Sequence, residues 1–277
     1  MRYVSFRRPD GSASFGILQQ DEVLDLGGSG IPVSLKEAIA TGALAKTTGG
    51  AAYPLADIVL LPVIPDPAKI ICVGLNYASH VAETGRDQKE FPAIFTRWAD
   101  SLVADGQPLV KPQVSERFDY EGELAVIIGK GGLKIARADA MRHVSGYSIF
   151  NDASVRDWQR HNIQFTPGKN FPGTGAFGPS LVTPDEIADL GSQRVQTRLN
   201  GQLLQDQPVS DMIWDVPFLI EYISAFTPLA PGDVIVTGTP GGVGDKRTPP
   251  LYMRAGDRVE VSIGELGTLT NRIIDES

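Results

Sequence analysis

The chain has 277 residues, of which 42% are hydrophobic and 21% are charged, the composition of a soluble globular protein. Its formal net charge of −8 argues against a surface that binds nucleic acid or anionic membranes. The single Cys72 excludes an intrachain disulfide and suits the reducing cytoplasm. The first ten residues lack the hydrophobic core of a signal peptide, and no apolar run is long enough to span a membrane.

Residues 1–66 are predicted to form a small N-terminal domain of short strands and one helix. Alternating polar and apolar residues predict strands at residues 2–6, 14–18 and 22–26. The capping box that begins at Ser34 predicts a helix that ends near Gly42. A proline-rich stretch then places the domain boundary, so that a second, larger domain would span residues 67–277.

A predicted buried strand at residues 69–73 is followed by a histidine and a glutamate at helical spacing. If the chain becomes helical after Asn76 or Ser79, His80 and Glu83 lie on the same face of the helix. A carboxylate beside an imidazole fixes the orientation of the ring and raises its basicity, as a general base requires. The competing interpretation is an ion pair on the protein surface.

Two glutamates stand out in residues 118–129, which are predicted to form one strand. Because side chains alternate along a strand, Glu121 and Glu123 project from the same face. The opposite face is apolar and consists of Leu124, Val126 and Ile128. Two neighbouring carboxylates resist joint ionisation and burial adds a desolvation cost, so a bound cation is the usual compensation. The competing interpretation is a strand at the rim of the fold whose acids face water.

Two later segments offer further polar groups. A strand predicted at residues 143–150 leads to Asp152, which either supplies a third carboxylate or caps the short helix predicted after it. Lys169 lies in a segment rich in glycine and proline, residues 166–179, that is predicted to be a loop. Long loops of this kind often have a function, although an ordinary surface lysine is the alternative.

The last third of the chain is rich in strand signals. Residues 195–205 are predicted to form a hairpin around Asn200 and Gly201, the pair typical of a type I′ turn. Residues 215–226 predict a helix, and its apolar face consists of Leu219, Ile223 and Phe226. A strand then leads to the glycine-rich residues 238–244, whose amides could approach a ligand closely or could form only a tight turn.

These segments together resemble the fumarylacetoacetate hydrolase family, and they occur in family order over residues 69–274. The matching residues are 73–77 with His80 and Glu83, 119–123, Asn151 and Asp152 with Arg156, Asp157 and Gln159, then Lys169, and finally 237–244. The resemblance implies an α+β, β-rich fold: a mixed β-sandwich or roll with a small N-terminal α/β appendage, usually in a homodimer.

The resemblance also implies a divalent metal in a cleft. Carried over by position, Glu121, Glu123 and Asp152 are the metal ligands. Three carboxylates with water suit a hard cation, so Mg²⁺ or Mn²⁺ is expected, with Ca²⁺ as a further candidate.

Catalytic and substrate positions follow from the same resemblance. His80 and Glu83 match the pair that activates water or transfers a proton. Lys169 matches the lysine that stabilises developing negative charge. The positions that match residues near the site or in contact with substrate are Arg156, Gln159 and Thr239.

The chain departs from the family pattern in two places. Many members have a Lys-Pro pair and small residues after the phenylalanine that matches Phe95, where this chain has Thr96-Arg97-Trp98-Ala99-Asp100-Ser101. Many have a Phe-Asp pair after the cleft lysine, where Phe171 here precedes Pro172. Both segments would line the distal end of the substrate. Arg97 either binds a second carboxylate of the substrate or lies on the surface.

The substrate implied by the resemblance is a small 2-oxo acid, and an enolate of it would be stabilised by the metal and Lys169. We predict a hydrolase that cleaves a C–C bond of a 2,4-dioxo acid of the acylpyruvate type, with water activated by His80 and Glu83. The products would be pyruvate or a related 2-oxo acid and a carboxylic acid, in aromatic or sugar-acid catabolism. The alternative is a lyase or isomerase of the same family, an oxaloacetate-type decarboxylase or a 2-hydroxydienoate isomerase. A third interpretation is a metal-stabilised binding module without activity.

Overall fold

The computed structural model describes residues 1–28, 33–45, 50–85 and 87–277. Strands dominate and helices are short, which confirms the predicted β-rich α+β class. The strands are β1 (Arg2–Arg7), β2 (Ala13–Gln19), β3 (Glu22–Asp25), β4 (Ala52–Pro54), β5 (Val59–Leu60), β6 (Ile70–Gly74), β7 (Ala93–Arg97), β8 (Leu102–Val103), β9 (Leu109–Lys111), β10 (Phe118–Asp119), β11 (Gly122–Ile128), β12 (Val144–Asp152), β13 (Ser154–Val155), β14 (Gly175–Val182), β15 (Arg194–Leu199), β16 (Gln202–Pro208), β17 (Val234–Val236), β18 (Arg258–Ile263) and β19 (Thr268–Asp275). The α-helices are α1 (Leu35–Thr41), α2 (Ala78–Thr84), α3 (Arg156–Gln159), α4 (Thr166–Lys169) and α5 (Val216–Phe226). Short 3₁₀ helices lie at Ala43–Ala45, Leu55–Asp57, Ala99–Ser101, Arg137–His143, Pro184–Glu186, Val209–Asp211, Gly244–Lys246 and Gly264–Leu266.

The strands form two mixed sheets and a two-stranded ribbon. The large sheet has the order β4-β3-β2-β1-β14-β12-β11-β17-β6-β7, with β5 beside β1 and β8 beside β14. The second sheet has the order β16-β15-β18-β19-β9, and β10 pairs with β13. The N-terminal strands join the large sheet because β1 pairs with β14. The division into domains at residue 66 stays a prediction.

Strand β11 lies at the centre of the large sheet and is buried along its whole length. Leu124, Val126 and Ile128 pack in a hydrophobic cluster shared with the second sheet, as the alternation of the sequence predicts. On the other face, Ala125 and Ile127 pack in a second cluster with residues of the N-terminal strands. Burial on both faces excludes the interpretation of this segment as a solvent-facing rim strand.

Local signals in the sequence predicted several elements correctly. Helix α1 has Ser34 as its N-cap and Gly42 in a left-handed C-cap at φ 67°. The β15–β16 hairpin turns at Asn200 and Gly201, whose φ angles of 52° and 83° are both positive, as a type I′ turn requires. These signals act between residues close in the chain, so they can be read without knowledge of the tertiary structure.

Helix α5 begins as predicted, because the side chain of Asp215 accepts a hydrogen bond from the Phe218 N–H. Of the three residues predicted to share the apolar face, Leu219 and Ile223 are fully buried, whereas Phe226 is 59% exposed. Phe226 ends the helix, where the core no longer lies beside it. With 11 residues α5 is the longest α-helix described, and no helix in the described part of the chain has the length and hydrophobicity to cross a membrane.

Two predicted elements differ from the structure. The strand expected at residues 118–129 is divided into β10 and β11 at Tyr120 and Glu121. The loop expected at residues 166–179 contains α4 and the first half of β14. Its glycines allow close contact: a Cβ on Gly175 would lie 2.9 Å from Arg97 Nη1. Strand β14 needs glycine where it passes the buried Arg97. Its glycine content therefore resembles that of a loop, which explains the prediction.

Gly122 lies between the two glutamates, where a Cβ would lie 2.3 Å from Thr197 Oγ1 and 2.9 Å from Val261 Cγ1 of the second sheet. We expect Gly122→Ala to lower the free energy of unfolding by about 1–3 kcal/mol, the usual effect of overpacking. Denaturant unfolding measures the change. Gly28→Ala is the control, because a Cβ there would meet no atom of the described residues within 4 Å. A wild-type unfolding midpoint for Gly122→Ala would contradict the close approach of the two sheets.

Candidate metal centre and its cavity

Three carboxylates from two adjacent strands meet at one point. Glu123 belongs to β11, Glu121 directly precedes it, and Asp152 ends β12. Each offers an oxygen atom within 4.8 Å of the others. The register of the sheet explains the cluster, because Gly122 pairs with Asn151 and so brings their neighbours together. Helix α3 has Val155 as its N-cap, so Asp152 does not cap that helix.

The electrostatics of the cluster favour a cation. Glu123 is 2% exposed and forms no ion pair with a described residue. Burial, then Asp152 and Glu121, raise the pKa of Glu123 well above its usual value. Its Oε2 accepts a hydrogen bond from the Gly238 N–H at 2.5 Å. A set of three carboxylates fits a hard divalent cation such as Mg²⁺ or Mn²⁺, so the cluster could hold one.

Lys169 partly neutralises the cluster from one side. Its Nζ donates to Glu121 Oε2 at 2.6 Å and to Asp152 Oδ2 at 2.5 Å. Burial opposes the charged ammonium, but Asp152 and Glu121 outweigh it and raise the pKa of Lys169. With 1% exposure, Lys169 is not the surface lysine that the sequence left as an alternative.

Arg156 approaches Glu121 from the other side. Its Nη1 lies 2.7 Å from Glu121 Oε1 and donates to Gln159 Oε1 at 3.0 Å. Burial alone would raise the pKa of Glu121, but Lys169 and Arg156 lower it to about 2. The carboxylate of Asp119 orients Arg156, because its Oδ2 accepts from Arg156 Nε at 2.8 Å. Asp119 begins the motif that contains both glutamates, but no pattern in the sequence indicates that it orients Arg156.

Arg97 lies behind Asp152, at the end of β7, with 2% exposure. Its Nε donates to Asp152 Oδ1 and its Nη2 donates to the Ala153 carbonyl. Its Nη1 donates to the hydroxyl oxygens of Ser101 and Thr174. Because each nitrogen already meets an oxygen of the chain, Arg97 is neither on the surface nor free to bind a substrate carboxylate without losing these bonds.

Replacement of Arg97 tests this placement. We expect Arg97→Met to lower the free energy of unfolding by about 3 kcal/mol, the lower end for breaking a buried ion pair, because Lys169 still bonds to Asp152. Denaturant unfolding measures the loss, and Arg97→Lys should lose less because it keeps the charge. The control Arg142→Met breaks only an exposed pair with Asp139 and should change little. A variant that unfolds like wild type but binds substrate weakly would instead assign Arg97 to substrate binding.

His80 and Glu83 form a pair in α2, as their spacing predicts. His80 Nδ1 lies 2.7 Å from Glu83 Oε1. Since a carboxylate only accepts, the Nδ1–H donates and Nε2 is the ring nitrogen that remains for proton exchange. Glu83 Oε2 accepts from the Gly242 N–H at 2.7 Å, which holds the carboxylate in place. The side chains are 11% and 22% exposed, so the pair is not an open surface ion pair.

The glycine-rich segment at residues 238–244 holds carboxylates of the protein itself. The N–H groups of Gly238, Gly242 and Gly244 donate to Glu123, Glu83 and Asp119 respectively. The expectation that these amides approach a ligand is therefore corrected: they orient the side chains that surround the ligand site. Glycine is required at residue 242, where a Cβ would lie 2.2 Å from the Leu204 carbonyl oxygen at φ +104°.

Gln205 is a second residue beside the site that was not predicted from the sequence. Its Oε1 accepts from the Gly122 N–H at 3.0 Å, and its Nε2 donates to Thr239 Oγ1 at 2.9 Å. Thr239 Oγ1 in turn donates to the Gly122 carbonyl at 2.9 Å. Gln205 thereby ties the strand of the glutamates to the predicted substrate-binding threonine. It lies in β16 of the second sheet, far along the chain from both, so no local pattern pointed to it.

A cavity of about 430 Å³ opens over these groups. His80, Glu121, Glu123 and Lys169 line it. The predicted substrate-binding residues in its wall are Arg156, Gln159 and Thr239. Arg97 is not among the described residues of the wall, in line with its position behind Asp152. The cavity therefore brings together a basic imidazole, a candidate cation site and an ammonium group, the combination that enolate chemistry requires.

Residues 69–274 match the family model described as fumarylacetoacetate (FAA) hydrolase C-terminal. A mitochondrial oxaloacetate tautomerase of Xenopus laevis is 38% identical over 288 residues, which cover 99% of this chain and 90% of that protein. The oxaloacetate tautomerase YisK of Bacillus subtilis is 44% identical over 230 residues, covering 81% and 76%. The solved structure of a fumarylacetoacetate hydrolase from Exiguobacterium antarcticum has a TM-score of 0.88 at 36% identity and covers all of both chains.

Proposed function

Since this chain belongs to the fumarylacetoacetate hydrolase family, we propose that it is a metal-dependent isomerase that interconverts the keto and enol forms of a 2-oxo acid of the oxaloacetate type. Two relatives that match most of the chain are named oxaloacetate tautomerases, which favours the isomerase alternative over the hydrolase predicted first. The observation that carries the proposal is that His80, held by Glu83, lines the same cavity as Glu121 and Glu123 of the three-carboxylate cluster.

Glu121, Glu123 and Asp152 would hold the cation, for which we propose Mg²⁺ or Mn²⁺. When bound, the cation supplies Lewis-acid stabilisation of negative charge on the keto oxygen and the adjacent carboxylate of a 2-oxo acid. The ammonium of Lys169, held by Glu121 and Asp152, adds a fixed positive charge on the same side of the cavity.

His80 transfers the proton in this proposal. In the direction from keto to enol, Nε2 takes a proton from C3, the electron pair of the C–H bond moves into the carbon skeleton, and negative charge develops on the keto oxygen. Glu83 stabilises the imidazolium that forms, because its carboxylate is bonded to Nδ1. The imidazolium then returns the proton to the oxygen, so the reaction neither consumes nor releases a proton overall.

The hydrolase of acylpyruvates remains the second candidate, because the same imidazole could activate a water molecule instead of removing a proton from carbon. The two candidates share every group described above and differ only in what His80 meets. Assays with different substrates can therefore distinguish the two candidates, whereas substitution of these residues cannot.

Parallel assays on one preparation separate these candidates. The purified protein with Mg²⁺ or Mn²⁺ is given the enol form of oxaloacetate, and the decay of its ultraviolet absorbance is compared with that in the same buffer containing the His80→Ala variant. Pyruvate release from oxaloacetate and cleavage of an acylpyruvate are followed alongside. We expect ketonisation far above the variant's background. Rapid acylpyruvate cleavage with oxaloacetate unaffected would favour the hydrolase.

The remaining features predicted from the sequence are part of the same proposal. We expect a cytoplasmic homodimer that acts on a small molecule and binds neither nucleic acid nor membrane. Light scattering during size-exclusion chromatography measures the number of subunits.

A further inference from the structure

One part of the cavity wall is rich in cationic side chains that the proposed reaction does not use. Arg117, Arg160 and Lys246 line the cavity together with Asp245 and Tyr252. Arg160 is already paired with Asp245, and the Tyr252 hydroxyl donates to the same carboxylate at 2.9 Å. Arg160 therefore brings little net charge to a ligand.

Arg117 and Lys246 differ from Arg160 because their charges are free. Both are exposed, and neither side chain forms an ion pair or hydrogen bond within the described part of the chain. Arg117 lies within electrostatic reach of Tyr252: burial and Asp245 raise the pKa of that phenol to about 12, and Arg117 acts in the opposite direction. Lys246 directly follows Asp245 in the chain. The two free cations thus belong to one region of the wall.

This region is connected to the carboxylate cluster by a short series of contacts. The Asp245 N–H donates to Asp119 Oδ2 at 2.9 Å. The same oxygen accepts from Arg156 Nε at 2.8 Å, and Arg156 Nη1 lies 2.7 Å from Glu121 Oε1. One carboxylate and one guanidinium therefore link the backbone of this region to Glu121, a candidate metal ligand.

The charges at the candidate metal centre leave a second substrate carboxylate without a partner there. The buried acids Asp119, Glu121, Glu123 and Asp152 are matched by the cations Arg97, Arg156 and Lys169. A divalent cation would turn the resulting single negative charge into a single positive one. The first carboxylate of a 2-oxo acid cancels that charge, so a second carboxylate requires cations elsewhere in the cavity.

Another part of the wall is apolar and would exclude a carboxylate. It consists of Val73, Leu75, Phe95 and Phe165. The rings of Phe95 and Phe165 pack edge to face at 5.5 Å, so this side is a stable hydrophobic surface. A charged group bound there would lose its hydration without gaining a partner. A dianionic substrate is therefore directed towards the free cations.

We propose that Arg117 and Lys246 bind the second carboxylate of the substrate, so that the site selects 2-oxo dicarboxylic acids over 2-oxo acids with one carboxylate. The inference rests on the proposed function and names the substrate class of that site. The guanidinium of Arg117 can bind a carboxylate through two parallel hydrogen bonds, and Lys246 adds a point charge.

The experiment compares a substrate that has the second carboxylate with one that lacks it, and the wild type with variants that lack the cations of Arg117 and Lys246. Oxaloacetate is compared with its 4-methyl monoester, which undergoes the same keto–enol reaction but lacks the second charge. Both are assayed with the metal-loaded wild type, with Arg117→Met, Lys246→Met and the double variant, and with the control Arg272→Met, an exposed arginine on β19. Calorimetry gives the Kd of each compound independently of turnover.

For oxaloacetate, we expect kcat/KM of the double variant to fall by about 10- to 100-fold, the effect of losing hydrogen bonds to a charged group. For the monoester, the fall should be less than about 3-fold, and Arg272→Met should match wild type with both. Equal losses with both compounds, or no loss with either, would overturn the inference.

The same data separate this inference from the proposed function. A wild type that turns over both compounds with equal kcat/KM would overturn the selection of dicarboxylic acids and leave the tautomerase intact. A wild type that turns over neither compound, but binds the diacid more tightly through Arg117 and Lys246, would overturn the tautomerase and leave the dicarboxylate site intact.

Discussion

Replacement of Glu123 by glutamine is expected to abolish metal binding and to lower activity by about 10²- to 10⁴-fold, the several kcal/mol that a bound cation contributes to stabilising charge in a transition state. The substitution removes one carboxylate and little else, since the amide oxygen of glutamine can still accept from the Gly238 N–H. The metal-free variant should be at least as stable as metal-free wild type, because Glu123 lies buried beside Asp152 and Glu121.

Thermal unfolding with and without metal measures binding separately from activity. At a metal concentration of about 100 times Kd, wild type should gain about 2.7 kcal/mol. For a chain of this length that gain corresponds to a rise in Tm of about 5 °C. Glu123→Gln should show almost no rise, and the control Glu22→Gln, an exposed residue of β3, should show the full rise. A full rise in Glu123→Gln, or full activity of chelator-treated wild type, would exclude this metal site.

Replacement of His80 by glutamine should lower kcat by about 10²- to 10⁴-fold, the usual contribution of a positioned general base. Glutamine is close in size and polar, but it has no nitrogen that can take a proton from carbon at neutral pH. The metal-induced rise in Tm should stay as in wild type, because His80 is not one of the three clustered carboxylates. Steady-state kinetics and thermal unfolding of the same sample provide both measurements.

His161→Gln is the matched control for His80, because His161 is exposed and lies outside the described cavity wall. Glu83→Gln should give a smaller loss than His80→Gln, since the base remains while its orientation and the stabilisation of its charged form are weakened. If His80→Gln kept wild-type kcat on the true substrate, proton transfer would have to be assigned to another residue.

Much of the candidate site could be predicted from the chain because its groups occur in short patterns. Glu121 and Glu123 are two residues apart in the segment that leads into β11, and His80 and Glu83 share a helix face, so spacing alone indicates that the partners lie together. For Asp152 the sequence allowed two roles, first as a third carboxylate of the cluster and second as a helix cap, because a carboxylate after a strand suits either. Pairing of β11 with β12 selects the first outcome.

Residues that act through distant partners could not be found in this way. Arg97 was predicted to meet substrate or solvent, but its carboxylate partner lies 55 residues further along the chain. Gln205 reaches Gly122 and Thr239 from the second sheet, 83 and 34 residues away respectively. The Arg97 contact depends on which distant segments the large sheet brings together, and the Gln205 contacts depend on how the second sheet packs on it. No periodicity in the sequence encodes either arrangement.

The sequence by itself determined the helix caps, the type I′ hairpin and the closeness of Glu121 to Glu123, because each depends on backbone geometry over a few residues. The fold class and the place of Asp152 beside the two glutamates followed from the resemblance to the family. Only the tertiary structure decided the burial of that cluster, its compensation by Lys169 and Arg97, and the grouping of Arg117 with Lys246 in one wall of the cavity. The physical reason is the range of the forces involved. Capping and alternation act between neighbours in the chain, whereas desolvation and Coulomb interactions depend on which distant segments fold against each other.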